Sequence, residues 1–367
     1  PSLPAMADYF SASLPMVQMG LTTSMIGLAL GQIFFGPLSD KYGRRPLLLV
    51  SMLLFIVSTL FCLFAPDIYS FVTLRLIQGI AGAGGIVISR SVAIDKFSGK
   101  ELAKMLAVIG AINGVAPVAA PVIGGLLTGS VGWQGIFMIL LFIGILLGIG
   151  CIRFKESLPA EKRSKTGVWA TFRSFGIIVH NRRYMLYVFQ LAFAQGILFA
   201  YIASSPFIIQ QHYGFSPFAF SICFAVNAVA IGVAAALSVK FRRTENGTLT
   251  GCVGMLVFAV LQMAALYSGC GFWTYELLMF ALLFMMGLTF TASTTLAMDC
   301  ERRYAGAASA LLGALCFASG GIVSPLVGLG DILISTGVTF VICAVCSLLC
   351  ALWAVKRTGP KVALCRI

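Results

Sequence analysis

The amino-acid sequence predicts an all-α, polytopic membrane protein, and three observations carry that reading. Of its 367 residues, 59% are hydrophobic and only 10% are charged, against about 25% charged in soluble domains. The apolar residues gather into runs close to the roughly 20 residues that a helix needs to cross a hydrocarbon core. The basic residues fall almost entirely between alternate runs.

In order, the runs cover residues 14–35, 47–65, 68–88, 105–127, 136–152, 185–209, 218–239, 249–267, 275–297, 305–326 and 332–355, which makes eleven complete spans. Residues 1–10 are short and marked by Pro1 and Pro4, and are expected to form the outer end of a twelfth span, the first in order. The chain would then lack most of that helix.

Charge gives the orientation. Lys41, Arg44 and Arg45 lie after the first complete run, Arg90, Lys96, Lys100 and Lys104 after the third, and the pattern repeats, so that alternate loops take 24 of the 25 basic residues. The intervening loops, around Asp67, Gly132, His212, Gly271 and Asp331, hold no Lys or Arg. Such a bias marks the basic loops as cytoplasmic. It accounts for the formal charge of +13 through orientation and attraction to anionic lipid, without nucleic acid as a partner. The longest polar stretch, 153–183, divides the spans into two groups of six, counting the incomplete first one. Val168, Trp169, Phe172 and Phe175 recur there at helix-like intervals, which suits an interfacial amphipathic helix or an ordinary linker equally.

Enzyme classes find no support. His180 and His212 fall in loops on opposite sides, so they cannot share a site. No glycine-rich phosphate loop with its lysine is present, which argues against an ATP-driven pump. The eleven cysteines are scattered through apolar runs and read as small packing residues. No metal, disulfide or cofactor is expected.

Between the runs 14–35 and 47–65 lies the polar string Gly36-Pro37-Leu38-Ser39-Asp40-Lys41-Tyr42-Gly43-Arg44-Arg45-Pro46. It reads as a tight turn at a membrane face, in which Gly36 and Gly43 permit backbone geometries and close helix approach that a side chain would block. Asp40 can pair with the surrounding cations or cap a helix end. The string resembles the loop between helices 2 and 3 of the major facilitator superfamily, G-x-L-x-D-[RK]-x-G-R-[RK], at every position of the pattern. The resemblance implies two six-helix halves in parallel repeat with a substrate cavity between them. The boundaries would be 1–152 for the first half, 153–183 for the linker and 184–367 for the second half. It also implies that Gly36, Asp40, Gly43, Arg44 and Arg45, with Asp95 as a latch partner for Arg44 or Arg45, control the conformational switch. A solvated loop acid is the other reading of Asp95.

Arg75 is the one basic residue inside a run, and an ionisable group there is a functional hypothesis in its own right. Gln78 is three residues on and shares its helical face; snorkelling of Arg75 to the outer headgroups is the alternative. Arg75, Gln78 and Gly79 match the family's fourth-helix pattern R-x-x-Q-G, which implies a part in proton coupling. In the fifth span, Gly114, Pro117, Pro121, Gly124 and Gly125 suit a kinked, closely packed helix. Pro121-x-x-Gly124-Gly125 is similar to the antiporter signature G-P-x-x-G-G, with Ala120 in place of its first glycine.

The segments Gly114-Val115-Ala116-Pro117 and Phe199–Phe207, with the opening Pro1-Ser2-Leu3-Pro4-Ala5-Met6, resemble the bicyclomycin-resistance (Bcr/CflA) group of drug:proton antiporters. The expectation is a non-enzymatic, multi-pass exporter of small amphipathic drug-like compounds in a bacterial inner membrane, working as a monomer against protons. An exporter of a metabolite or amino acid, a sugar transporter, and a non-transporting receptor or scaffold remain open. Tyr201, Asn113 and Asn227 are candidate substrate contacts, although each also suits helix packing. By position, eight of the 12 acids are cytoplasmic, Asp8, Asp67, Glu276 and Asp331 lie at or near the outer face, and none is at mid-membrane. The resemblance therefore implies a coupling Asp upstream of Pro1, near Arg75 in space.

Overall fold

The computed structural model describes residues 2–97, 99–159, 161, 163, 175–238, 241, 243–301 and 305–356. Of these, the side chains of 99–100, 102–104, 106–108, 110–119, 121, 128–130, 305 and 306 are outside the description. The helices are α1 (Leu3–Phe10), α2 (Leu14–Tyr42), α3 (Arg44–Leu63), α4 (Ile68–Lys96), α5 (Gly99–Arg153), α6 (Arg182–Phe207), α7 (Pro217–Ser238), α8 (Thr244–Tyr267), α9 (Phe272–Cys300), α10 (Ala305–Leu326) and α11 (Ile332–Lys356). Among the described residues, ten helical segments are long and apolar enough to cross a membrane. They match ten of the eleven runs; the other, 105–127, lies within α5, where most side chains are outside the description.

Local chemistry sets the helix ends. Asp67 caps α4, accepting from the Ser70 N–H at 2.9 Å and the Ser70 hydroxyl at 2.9 Å. These bonds, the backbone one first, hold its carboxyl below the ordinary aspartate range. Asn181 caps α6 through the Tyr184 N–H, and Asp331 accepts from Leu333 and Ile334 at the start of α11. Each satisfies a donor that a helix's first turn leaves without a partner. α6 passes at Pro206 into a π-turn, Ile208–His212. α5 departs from helical geometry at Gly132 (φ 65°), which separates its two apolar stretches. The expected break at Pro117 and Pro121 concerns side chains outside the described residues.

The helices pack in two sets. α2, α3, α4 and α5 contact one another, as do α6, α7, α8, α9, α10 and α11, and the pairs α2–α10 and α5–α7 join the sets. Lipid tails are as apolar as leucine, so close approach through small residues holds such a bundle together. At the α2–α4 crossing a Cβ on Gly79 would stand 2.1 Å from the Ser24 carbonyl oxygen. Large apolar side chains, among them Leu53, Phe142, Val229, Leu277 and Trp353, face outward, the surface expected of a body solvated by acyl chains.

Two expectations about the polar string change. It is not a loop: α2 continues through Tyr42 and α3 begins at Arg44, leaving Gly43 alone between them. Nor does Gly36 mark a close approach, because a Cβ there would meet only Val87 Cγ1 at 3.7 Å. Within the string Asp40 and Arg44 form an ion pair across the Gly43 turn. α4 also runs on to Lys96, so Arg90, placed in a loop by its charge, lies in the helix and donates to Ser309 Oγ of α10 at 3.1 Å.

Candidate functional site: a charged latch and two buried polar clusters

At the basic end of the bundle Gly43 adopts φ 102° and ψ 158°, a region essentially reserved for glycine. The turn presents Arg44, 6% exposed, to three partners. Its Nε donates to Asp95 Oδ2 at 2.9 Å, Nη1 donates to Ser39 Oγ at 2.7 Å, and Asp40 forms an ion pair with it. Asp95 also accepts from the Ser157 hydroxyl at 3.1 Å. Arg45 takes no part in that pair; its Nη2 donates to the Ile152 carbonyl at 2.9 Å.

Glu156, by sequence only one of the cytoplasmic acids, joins this cluster. Its carboxylate accepts from the backbone N–H groups of Arg44 at 3.0 Å and Arg45 at 3.1 Å, capping α3 from more than one hundred residues away. It also accepts from the N–H groups of Ser157 and Leu158, and Arg163 lies 3.7 Å away. Partial burial opposes its charge, yet the bonds from Leu158, Arg44, Arg45 and Ser157 outweigh that and keep the carboxyl below the usual glutamate range. An acid in a basic linker carries no local signal of this contact.

The first buried cluster lies in the set α2–α5. Arg75 turns onto α2 and its own helix. Its guanidinium donates to the Gly20 carbonyl at 3.4 Å and to Gln78 Oε1, and stands 5.7 Å from the centre of the Phe137 ring. Gln78, 3% exposed, donates on to Thr59 Oγ1 at 2.6 Å. The sequence pair Arg75–Gln78 is thus a contact pair tied to α2 and α3. Among the described residues no carboxylate lies within ion-pair distance of Arg75.

The second cluster lies in the set α6–α11 and joins Tyr201 and Asn227, both 1% exposed. Asn227 Nδ2 donates to Tyr201 Oη at 3.0 Å and to Glu276 Oε1 at 2.8 Å. The Tyr201 ring stacks on Phe224, with centroids 5.1 Å apart. Both candidates are buried in helix packing. Glu276, placed by sequence at or near the outer face, lies one turn into α9 as a partly buried acid bonded to the middle of α7. The side chain of the third candidate, Asn113, is outside the described residues, as are those of Gly114, Pro117 and Pro121.

Besides the Arg90–Ser309 bond, further contacts bridge the sets. A Cβ on Gly125 of α5 would come within 2.7 Å of the Pro217 carbonyl oxygen and overlap Ser221 of α7. Gln18 of α2, fully buried, donates to the Ala203 carbonyl at 3.3 Å. Gln18 has no counterpart in the sequence expectations, although a glutamine in an apolar run was a usable signal.

Among the described residues, a helical bundle of spanning length with a charge cluster at one end and polar clusters in both helix sets suits a multi-pass membrane transporter. The pattern of the Major Facilitator Superfamily matches residues 1–325, and the chain belongs to that family. It is 38% identical over 338 residues to YdgK of Bacillus subtilis (strain 168), described as an uncharacterized MFS-type transporter, covering 90% of this chain and 84% of that protein. It is 29% identical over 341 residues to a bicyclomycin resistance protein homolog of Haemophilus influenzae, covering 89% and 83%. Among solved structures it is similar to a bacterial homolog of the human lysosomal transporter Spinster, inward-facing and unoccupied, with TM-score 0.74 and 18% identity, covering 97% of this chain and 92% of that one. That likeness concerns the fold.

Proposed function

We propose that this transporter exports small amphipathic, drug-like compounds across a bacterial inner membrane in exchange for protons. The observation that carries the reading is Arg75, a guanidinium held in the interior by Gly20 and Gln78 with no carboxylate in ion-pair range among the described residues. A partly buried cation so placed raises the cost of a second positive charge nearby and favours an anionic partner. Proton movement and substrate movement can be linked through such a group. The resistance-named relative from Haemophilus influenzae supports a drug as the cargo, as does a multidrug resistance protein, MdtL, of Salmonella heidelberg that is 25% identical over 227 residues.

In this reading the two helix sets rock about the α2–α10 and α5–α7 contacts. The Gly36–Arg45 segment with Asp95 stabilises one state and releases it in the other, while Gly124 and Gly125 seal the bundle against leak. Tyr201 and Asn227 act within the second polar cluster. A metabolite or amino acid as cargo is the competing reading on the same scaffold.

The test is flux in proteoliposomes holding the full chain, with and without a pH gradient, using a panel of amphipathic drugs beside amino acids and sugars. Drug uptake that rises with the gradient is the expected result. Gradient-stimulated flux confined to amino acids or sugars would replace the drug reading, and flux indifferent to the gradient would remove proton exchange.

A further inference from the structure

Glu276 lies one turn into α9, and its partner Asn227 is the eleventh of the 22 residues of α7. At about 1.5 Å per residue, Asn227 stands roughly 15 Å from either end of its helix. The carboxyl is therefore drawn inward, towards the depth where solvation by water is lost.

Its hydrogen bonding is incomplete in an informative way. Oε1 accepts from Asn227 Nδ2 at 2.8 Å. Oε2 is buried and has no partner among the described residues, and the same is true of Asn227 Oδ1 and the Tyr275 hydroxyl. An ionised carboxylate only accepts hydrogen bonds, and burying one with a single neutral donor costs several kcal/mol. Cationic help is absent among the described residues. The titratable groups close enough to feel the charge of Glu276 are Tyr201 from α6, Cys223 from α7 and Tyr275 from α9 itself, with Tyr213 of the π-turn end acting on Tyr275. None of the four carries a positive charge, and among the described residues α8 and α10, which complete the surroundings of α9, add no titratable group to them.

We propose that Glu276, with Asn227 and Tyr201, is a proton-exchange site inside the second helix set, separate from the Arg75 cluster of the first. Protonation supplies the missing donor: a proton from hydronium forms an O–H bond at Oε2 and leaves water behind. The surroundings fit both states without a backbone change. In the ionised state Asn227 donates through Nδ2, as seen here. In the protonated state the acid hydroxyl donates to Asn227 Oδ1 once the amide has rotated about its terminal torsion. Tyr201, able to donate or accept, follows either arrangement. Access comes from the end opposite the basic face, since α9 starts at Phe272 and Trp273 beside it is 76% exposed.

This inference rests on the proton-exchange reading above, and its test keeps the two apart. The full chain in nanodiscs is titrated and followed by infrared difference spectroscopy, with wild type, Glu276→Gln and Glu276→Asp compared at equal monodispersity. The wild type should show a protonated carboxyl band, shifted by deuterium oxide, that Glu276→Gln removes and Glu276→Asp retains at a shifted position. In proteoliposomes, Glu276→Gln should lose the gradient-stimulated part of drug flux. A carboxyl band unchanged in Glu276→Gln overturns the site, and so does a wild-type response to the gradient in that variant. If the wild type shows no response to the gradient, the transport reading falls while the infrared band still decides whether Glu276 exchanges a proton.

Discussion

The carboxylate of Glu156 caps helix α3 by accepting the backbone N–H groups of Arg44 and Arg45, at 3.0 and 3.1 Å. The bond ties the linker that follows α5 to the hinge between α2 and α3. Glu156→Gln should therefore loosen the latch, at a cost of about 1 kcal/mol, as expected for a weakened helix cap. The sign of the pH dependence follows from its lowered carboxyl range. The contribution is complete above the ordinary glutamate value and is lost as pH falls through the lower folded value. Thermal unfolding in detergent should then show a wild-type advantage over the Gln variant at neutral pH that vanishes on strong acidification. An advantage that grows with acid would contradict the assignment.

Asp95 and Asp40 both pair with Arg44, yet they should not weigh equally. The Asp95 side chain is 13% exposed and that of Asp40 45%. Asp95→Asn weakens a charge-assisted bond to a buried guanidinium and should cost about 1–3 kcal/mol. Asp40→Asn should stay within about 1 kcal/mol, as exposed pairs do. Both should slow transport more than they weaken equilibrium binding, because neither acid touches the interior clusters. Denaturation midpoints and flux measured on the same preparations give the ranking.

Gly43 and Gly36 make a paired test of the hinge. Gly43→Ala forces a Cβ into a glycine-only backbone region and to within 2.5 Å of Glu156 Oε2, which should cost about 1–3 kcal/mol for the backbone alone. Gly36→Ala meets ordinary contact at 3.7 Å and should resemble the wild type. Equal loss of thermal stability in the two variants would show that the hinge is not where the structure puts it.

Arg75→Ala should insert normally and lose the gradient-stimulated flux. Arg75→Lys tests geometry beside charge: an ammonium lacks the fork that reaches both Gly20 and Gln78, so the charge alone should restore little. Wild-type flux in the alanine variant would remove Arg75 from coupling.

The α2–α4 crossing predicts a purely steric effect. Gly79→Ala places a methyl 2.1 Å from the Ser24 carbonyl oxygen, and overpacking of this kind costs about 1–3 kcal/mol. A variant as thermostable as the wild type would mean that the helices separate there at little cost.

The spans were legible because a bilayer sets one length for every crossing helix, so runs such as 47–65 and 332–355 announce themselves. Loop charge announced the face. Arg75 and Gln78 were legible as a pair, since three residues on one helix fix their shared side, and Arg44 with Asp95 was legible through the resemblance. The surroundings of Gly36 were not legible, because spacing cannot say whether a neighbouring helix comes close.

What the sequence determined by itself was the all-helical membrane class, the basic face, and the residues worth asking about. The tertiary structure alone decided which of them meet. Glu276 sits five residues into an apolar helix, beside Trp273 and Tyr275, and by position it reads as an acid at the outer face. Its burial depends on α7 bringing Asn227 to 2.8 Å, across 49 residues of chain. Glu156 likewise gains its role from α3, 111 residues away in the case of Arg45. Apolar length is a property of one segment and survives in the sequence. Depth, pairing and the satisfaction of a buried polar atom are properties of two or more segments, and they exist once the helices have packed.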